Sequence, residues 1–78
     1  MENDIKVYHR YVHFKGKSYM PLYVAEHSET GEKLVIYEAM YGEHKIYARP
    51  MSMWNEFVTN ANGERVRRFE LAVSDIYG

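Results

Sequence analysis

No cysteine occurs among the 78 residues. A disulfide framework and a thiolate metal site are therefore both excluded as the source of stability. Neither sign of charge dominates. Lys and Arg total 10, Asp and Glu 11, and the formal net charge is −1. That balance argues against a dedicated nucleic-acid or acidic-membrane binder, although a local patch can survive it. No apolar run approaches the ~20 residues of a membrane-spanning helix. The opening Met1-Glu2-Asn3-Asp4 is acidic and has no apolar stretch, so no signal peptide is expected and the chain reads as a soluble, cytoplasmic protein of bacterial type. Internal repeats, linkers and low-complexity segments are missing too. One domain spanning 1–78 is expected, with residues 1–6 frayed. A chain this short buries only about 60% of its unfolded surface. One small core fits; a deep enclosed active site is hard to build.

What the chain does have is aromatic surface. It carries 8 Tyr, 3 Phe and 1 Trp within an ordinary composition of 46% hydrophobic and 27% charged residues. Large rings suit a small β barrel, where each one supplies much of the core.

The segment from His27 to Gly42 organises the rest. Between Leu34 and Tyr41, alternate residues point to opposite faces of a strand. Val35, Tyr37, Ala39 and Tyr41 form an uncharged face and are assigned to the core. Leu34, Ile36, Glu38 and Met40 form the other face, apolar except at Glu38 and expected to be partly covered. Branched and aromatic residues favour strand over helix here. A strand apolar on both sides belongs inside a curved sheet rather than at its edge. Gly31 and Gly42 punctuate its ends.

The other elements follow from local chemistry. Val7 to Phe14 reads as a first extended segment, clearest from Tyr11. Lys15-Gly16-Lys17 is a turn. Ser18 to Glu26 is a second strand, with a bulge near Pro21, which lacks a backbone donor. Tyr41 to His44 reverses the chain, and Lys45 to Arg49 is a fourth strand with Tyr47 and Arg49 on one face. Pro50 to Trp54 reads as one helical turn with Met51 and Trp54 on one side. Phe57 and Val58 begin another strand, Asn62-Gly63 is a strong hairpin signal, and Val66 to Val73 is a last strand with Phe69 and Leu71 inward. Short strands with turns every 8–12 residues predict an all-β fold: a small five-stranded SH3-like barrel with one helical turn near residues 50–55.

No motif for chemistry survives scrutiny. Gly16-Lys17-Ser18 echoes a phosphate-binding loop, but Tyr11 stands where that motif needs glycine and Ser18 opens a strand. His9 and His13 fall on one face of the first segment without a third ligand nearby, so backbone-bonded histidines are expected and no metal or other cofactor. His27, Ser28, Glu29 and Glu32 do not make a catalytic group, because neighbours in a hairpin point to opposite faces. Ser28 and Thr30 are better read as turn-stabilising hydroxyls.

Several motifs together resemble one known family. They are Tyr11-x-His13-Phe14-Lys15-Gly16, His27-Ser28-Glu29-Thr30-Gly31-Glu32, Val35-x-Tyr37, Tyr41-Gly42, Arg49-Pro50-x-x-Met53 and Arg68-Phe69. The likeness is to the bacterial domain of unknown function 1653 family, over about residues 10–72. The chain departs from the family's expected pattern with Pro21 in an aliphatic position and Trp54 in a phenylalanine position. The resemblance implies a small bacterial stand-alone domain and supplies no activity, substrate or catalytic residue.

The functional expectation is a non-enzymatic binding module. Tyr41, Tyr47, Arg49 and Trp54 would form an aromatic and arginine groove for a peptide or protein partner, with His27 and Glu29 at its rim. A competing reading has Trp54 and the methionines plugging one end of the barrel, with Arg49 paired to Glu38 or Glu70. Three further alternatives are single-stranded nucleic-acid binding through Lys15, Lys17, Arg65, Arg67 and Arg68, a weak hydrolytic activity near the His27–Glu32 turn, and a component that acts only as a homo-oligomer.

Overall fold

The computed structural model describes residues 5–72. Its elements are β1 (Tyr11–His13), β2 (Ser18–Glu26), β3 (Lys33–Ala39), β4 (Ile46–Pro50), α1 (Met51–Trp54), β5 (Phe57–Thr59), β6 (Arg65–Arg67) and β7 (Phe69–Leu71). All pairing is antiparallel. Five strands form one sheet in the order β4-β3-β2-β1-β7, and β5 and β6 form a separate hairpin. A four-strand meander whose first strand is joined by the last, with a helical turn between, is an SH3-like all-β arrangement. The outer strands β4 and β7 do not pair with each other, so hydrogen bonds leave the barrel open at that seam.

Alternation within β3 decides what is inside. Val35, Tyr37 and Ala39 are buried; Leu34, Ile36 and Glu38 are half-buried. Across the sheet, Val35 and Tyr37 stand opposite Arg49 and Tyr47 of β4. The core gathers Tyr11, Val35, Tyr37, Met51, Trp54 and Phe69, with Ile5, Tyr19 and Leu71 packed against it. Trp54 stacks on Phe69, centroids 3.9 Å apart, and meets Tyr37 and Tyr11 edge-on at 5.1 and 5.5 Å. Its indole therefore bridges β7, β3 and β1. Burial of these rings is the main stabilising term in so small a domain.

Pro21 sits at the predicted bulge. The register with β3 slips between Pro21 and Tyr23. The Tyr8 amide donates to the Pro21 carbonyl at 2.7 Å, while Ser18 O accepts from Met40 N on the β3 side. A strand residue's N and C=O point the same way, so the missing donor of Pro21 faces away from β3 and costs the ladder nothing.

Four local expectations need correction. The first strand is shorter than Val7–Phe14, because Tyr8 takes a left-handed φ of 65° and the chain turns there, with His9 N donating to Lys6 O. His9 consequently shares no strand face with His13. The last strand is two strands. At Arg68 the amide donates to Glu56 O while the carbonyl accepts from Phe14 N, and the guanidinium grips the Glu56 carboxylate through Nε at 2.9 Å and through Nη2. Arg68 thus hands the chain from β5 to β1. Its expected end at Val73 lies outside the described residues. Pro50 closes β4 with φ −54° and ψ 137° rather than opening the helical turn. Finally, Ile5 packs on the core and Lys6 N donates to the Tyr11 hydroxyl at 3.1 Å. The expected fraying therefore stops short of these two; residues 1–4 lie outside the described residues.

Three of the hairpin loops share one device. His13 Nδ1 accepts from Lys15 N at 3.1 Å, and His27 Nδ1 accepts from Glu29 N at 3.1 Å. Asn60 Oδ1 accepts from Asn62 N at 2.9 Å. Each loop's leading side chain satisfies a backbone donor two residues on, as Asx turns do.

Candidate functional site: the tyrosine and arginine face

One face of the sheet collects tyrosines from three parts of the chain. Tyr19 comes from the start of β2, Tyr37 from β3, Tyr47 from β4, and Tyr41 follows β3. The Tyr19 and Tyr41 hydroxyls are 2.6 Å apart. Tyr19 meets Tyr37 edge-on at 5.6 Å, and Tyr37 lies 5.7 Å from Tyr47. Burial pushes the Tyr19 phenol up to about 12, aided by the hydrogen bond to Tyr41 and by the charges that Tyr41, Tyr37 and Tyr47 would carry. Tyr19 therefore stays a neutral phenol at physiological pH.

Cations surround this cluster. Arg49 donates through Nε to the Tyr37 hydroxyl at 3.3 Å, and its guanidinium carbon lies 5.6 Å from the centre of the Phe69 ring. Lys17 Nζ sits 4.7 Å from the Tyr41 ring centre, within cation–π range. His13 packs edge-on against Phe69 at 5.0 Å. Burial lowers its imidazole pKa, and the charges of Arg68, Arg49 and Lys15 lower it further. Neutral His13 is also what its Nδ1 acceptor role requires. A shallow open cleft of about 260 Å³ lies at the rim, lined by Ala39, Tyr41, Gly42, Glu43, Lys45 and Tyr47.

Tyr41 and Tyr47 are exposed, at 37% and 43%, and Arg49 shares the face of Tyr47 on β4, opposite Val35 of β3. Arg49 does not pair with Glu38 or Glu70. Glu38 instead bonds His44 Nδ1 at 3.1 Å, and Arg49 has no carboxylate partner among the described residues. Trp54, by contrast, is only 1% exposed and cannot touch a ligand; its place between Phe69 and Tyr37 makes it the plug. His27 and Glu29 also leave the groove. Tyr19 marks the groove end of β2, and His27 lies eight residues further on, roughly 25 Å along a strand. His27 Nδ1 is occupied by the Glu29 and Thr30 amides, so it is not held as a base against Ser28. Thr30 does serve the turn, its hydroxyl accepting from Glu32 N at 3.2 Å.

Of the basic residues, Arg65 and Arg67 flank Phe57, their guanidinium carbons 5.5 and 4.9 Å from its ring centre. Arg68 is taken by Glu56. Lys15 lies 5.8 Å from the Phe14 ring centre. A second cleft of about 260 Å³ brings Gly16 of the Lys15–Lys17 turn beside Arg67, with Glu70 also in its wall. Lys17 faces the other way, toward Tyr41. Among the described residues no three His, Asp or Glu side chains gather as a metal would need.

Sequence reasoning missed Tyr19, Tyr37 and His13 as members of the face. Tyr19 and Tyr37 looked like core, which is partly true. Only the register Tyr19↔Ala39 and Tyr37↔Tyr47 aligns their hydroxyls with Tyr41 and Arg49.

The fold and this face define a small SH3-like β domain with an exposed aromatic and cationic surface. Comparison with known proteins identifies a family. The family profile "Protein of unknown function (DUF1653)" matches residues 9–71. The crystal structure of a protein from Bordetella bronchiseptica that belongs to DUF1653 superposes with a TM-score of 0.80, at 30% identity over 92% of each chain. No curated protein matches. The chain belongs to the DUF1653 family.

Proposed function

We propose that the protein is a non-enzymatic binding module whose tyrosine and arginine face, centred on Tyr41, Tyr47 and Arg49, holds a peptide or protein partner. The observation that carries this reading is Arg49. Its Nε donates to the buried Tyr37 and its guanidinium lies against the buried Phe69 ring, yet its terminal nitrogens meet no carboxylate among the described residues, and Tyr47, on the same face of β4, is exposed. An arginine and tyrosines at the rim of a rigid sheet are the residue types that dominate binding energy at protein surfaces. The hydroxyls of Tyr41 and Tyr47 supply donors and acceptors, and their rings supply apolar area at little entropic cost.

The test is an amide NMR titration with separate pools of short peptides, oligonucleotides and common metabolites. Peptide-induced shifts at Tyr41, Tyr47 and Arg49, lost in Arg49→Met, are expected. Shifts that avoid this face would overturn the reading.

A second reading has one observation behind it. The cleft between Gly16 and Arg67 places the Lys15 turn beside the Arg65–Arg67 strand, a short cationic track for a single-stranded nucleic acid. Glu70 in its wall and the engagement of Arg68 by Glu56 weaken it. Oligonucleotide binding that falls steeply with salt and disappears in Arg67→Gln would favour it.

A further inference from the structure

β4 is the outer strand of the sheet, and one of its long edges is open. Ala39 N donates to Lys45 O, and the register places Tyr47 opposite Tyr37 and Arg49 opposite Val35. In an antiparallel ladder the residues that bond a neighbour alternate. Lys45, Tyr47 and Arg49 therefore turn their amides and carbonyls toward β3. Ile46 and Ala48 turn theirs outward, where no described residue meets them. Pro50 adds an outward carbonyl and no donor, which ends the free edge.

Side chains follow the complementary pattern. Lys45, Tyr47 and Arg49 share the face that carries Ala39, Tyr37 and Val35, and they read cation, aromatic, cation at every second residue. A strand docking antiparallel on Ile46 and Ala48 would face these three at its non-hydrogen-bonded sites, where opposed side chains come closest. Lys45 has only a loose, solvent-exposed contact with Glu43 at 3.9 Å, and Arg49 has no acidic partner among the described residues. The cleft lined by Ala39, Tyr41, Glu43, Lys45 and Tyr47 lies between the Lys45 and Tyr47 positions.

A second copy of the chain fits badly. The two-fold pairing that bonds Ile46 to Ala48 of the other copy sets Lys45 directly against Arg49, twice. Like charges opposed across strands are destabilising. Shifting the register one way brings Pro50 opposite Ile46 and forfeits a donor; shifting it the other way sets Ala48 opposite His44, whose left-handed φ of 55° takes it off the strand. The edge therefore repels itself and attracts the opposite sign.

Resting on the binding-module reading above, we infer that β4 takes an extended acidic peptide by strand addition, in the pattern acid-x-apolar-x-acid. The ligand's backbone bonds Ile46 and Ala48, its carboxylates meet Arg49 and Lys45, and its apolar residue covers Tyr47 over the cleft.

The probe is a fluorescein-labelled peptide of sequence T-E-T-L-T-E-T, measured by anisotropy and by amide shifts. Controls replace both glutamates by glutamine or by lysine. Each opposed pair is modest, so losing both carboxylates should weaken binding roughly tenfold. Arg49→Met should weaken the glutamate peptide several-fold and leave the glutamine peptide unchanged. Ala48→Pro removes an outward donor without touching the β3 ladder; it should weaken both peptides alike while the spectrum stays dispersed. Ile46 and Ala48 amides should move most on binding. Equal affinity for the glutamate and glutamine peptides would overturn the acidic pattern and leave the binding-module reading standing. Binding that survives Ala48→Pro unchanged would overturn strand addition. No binding of any peptide at this face, or shifts only with oligonucleotides, would overturn both.

Discussion

Replacing Trp54 by alanine separates the two roles that its sequence position allowed. The indole is 1% exposed and stacks on Phe69 at 3.9 Å with only 7° between the planes. Tyr11 and Tyr37 meet it edge-on. Truncating a buried tryptophan typically costs about 3–5 kcal/mol, the transfer term plus the cavity left behind. One feature places Trp54→Ala at the upper end of that range. The indole touches rings on three strands, so no single neighbour can move in to fill the space. A 78-residue domain has roughly 4–12 kcal/mol in total, and the variant should lose about half of it. Urea unfolding followed by far-ultraviolet circular dichroism is the assay, because the substitution removes the chain's one tryptophan and with it that fluorescence signal. Trp54→Phe, which keeps a ring against Phe69, should retain most of the stability. A variant Trp54→Ala that unfolds within about 1 kcal/mol of the parent, but no longer binds a ligand, would refute the plug and return Trp54 to the groove.

Other consequences can be measured on the same material. Burial and the nearby cations hold the His13 imidazole below its ordinary pKa, so below pH 6.5 the unfolded chain binds the proton more readily; stability should fall as pH drops from about 6.5, and His13→Asn, which keeps an acceptor for Lys15 N, should flatten that fall. Gly31 has φ +78° and a Cβ there would meet only Glu26 Oε2 at an ordinary 3.6 Å; Gly31→Ala should therefore cost only the left-handed backbone penalty of about 1 kcal/mol, seen as a lower urea midpoint with unchanged slope. Arg68→Met frees Glu56 at the point where the chain changes partners; since both side chains are partly exposed, a loss of about 1 kcal/mol is expected, and a double-mutant cycle with Glu56→Gln should show the two effects to be non-additive.

Much of the fold was written in local pattern. Alternation alone assigned Val35, Tyr37 and Ala39 to the core, because a strand has only two faces and charge marks the wet one. The missing donor of Pro21 foretold a bulge, and Asn62-Gly63 a hairpin, because both are constraints on a few dihedrals. The pairing of Tyr47 and Arg49 on one side of β4 was legible for the same reason. Each of these depends on residues within reach of one another along the chain.

Tertiary structure decided the rest. Trp54 was equally a groove or a core residue until Phe69, fifteen positions later, stacked on it. His27 looked near the groove because the turn that holds it is near Tyr41 in sequence, yet β2 carries it to the far end of the sheet. The acidic partner that the competing plug reading gave Arg49 is not Glu38, which points to the opposite face and takes His44. The Tyr19 hydroxyl met Tyr41 through a register set by the bulge at Pro21, not by either tyrosine. Sequence determines which way a side chain points from its own strand. Which strands become neighbours, and hence which side chains share a surface, is settled only when the whole sheet minimises its exposed apolar area at once.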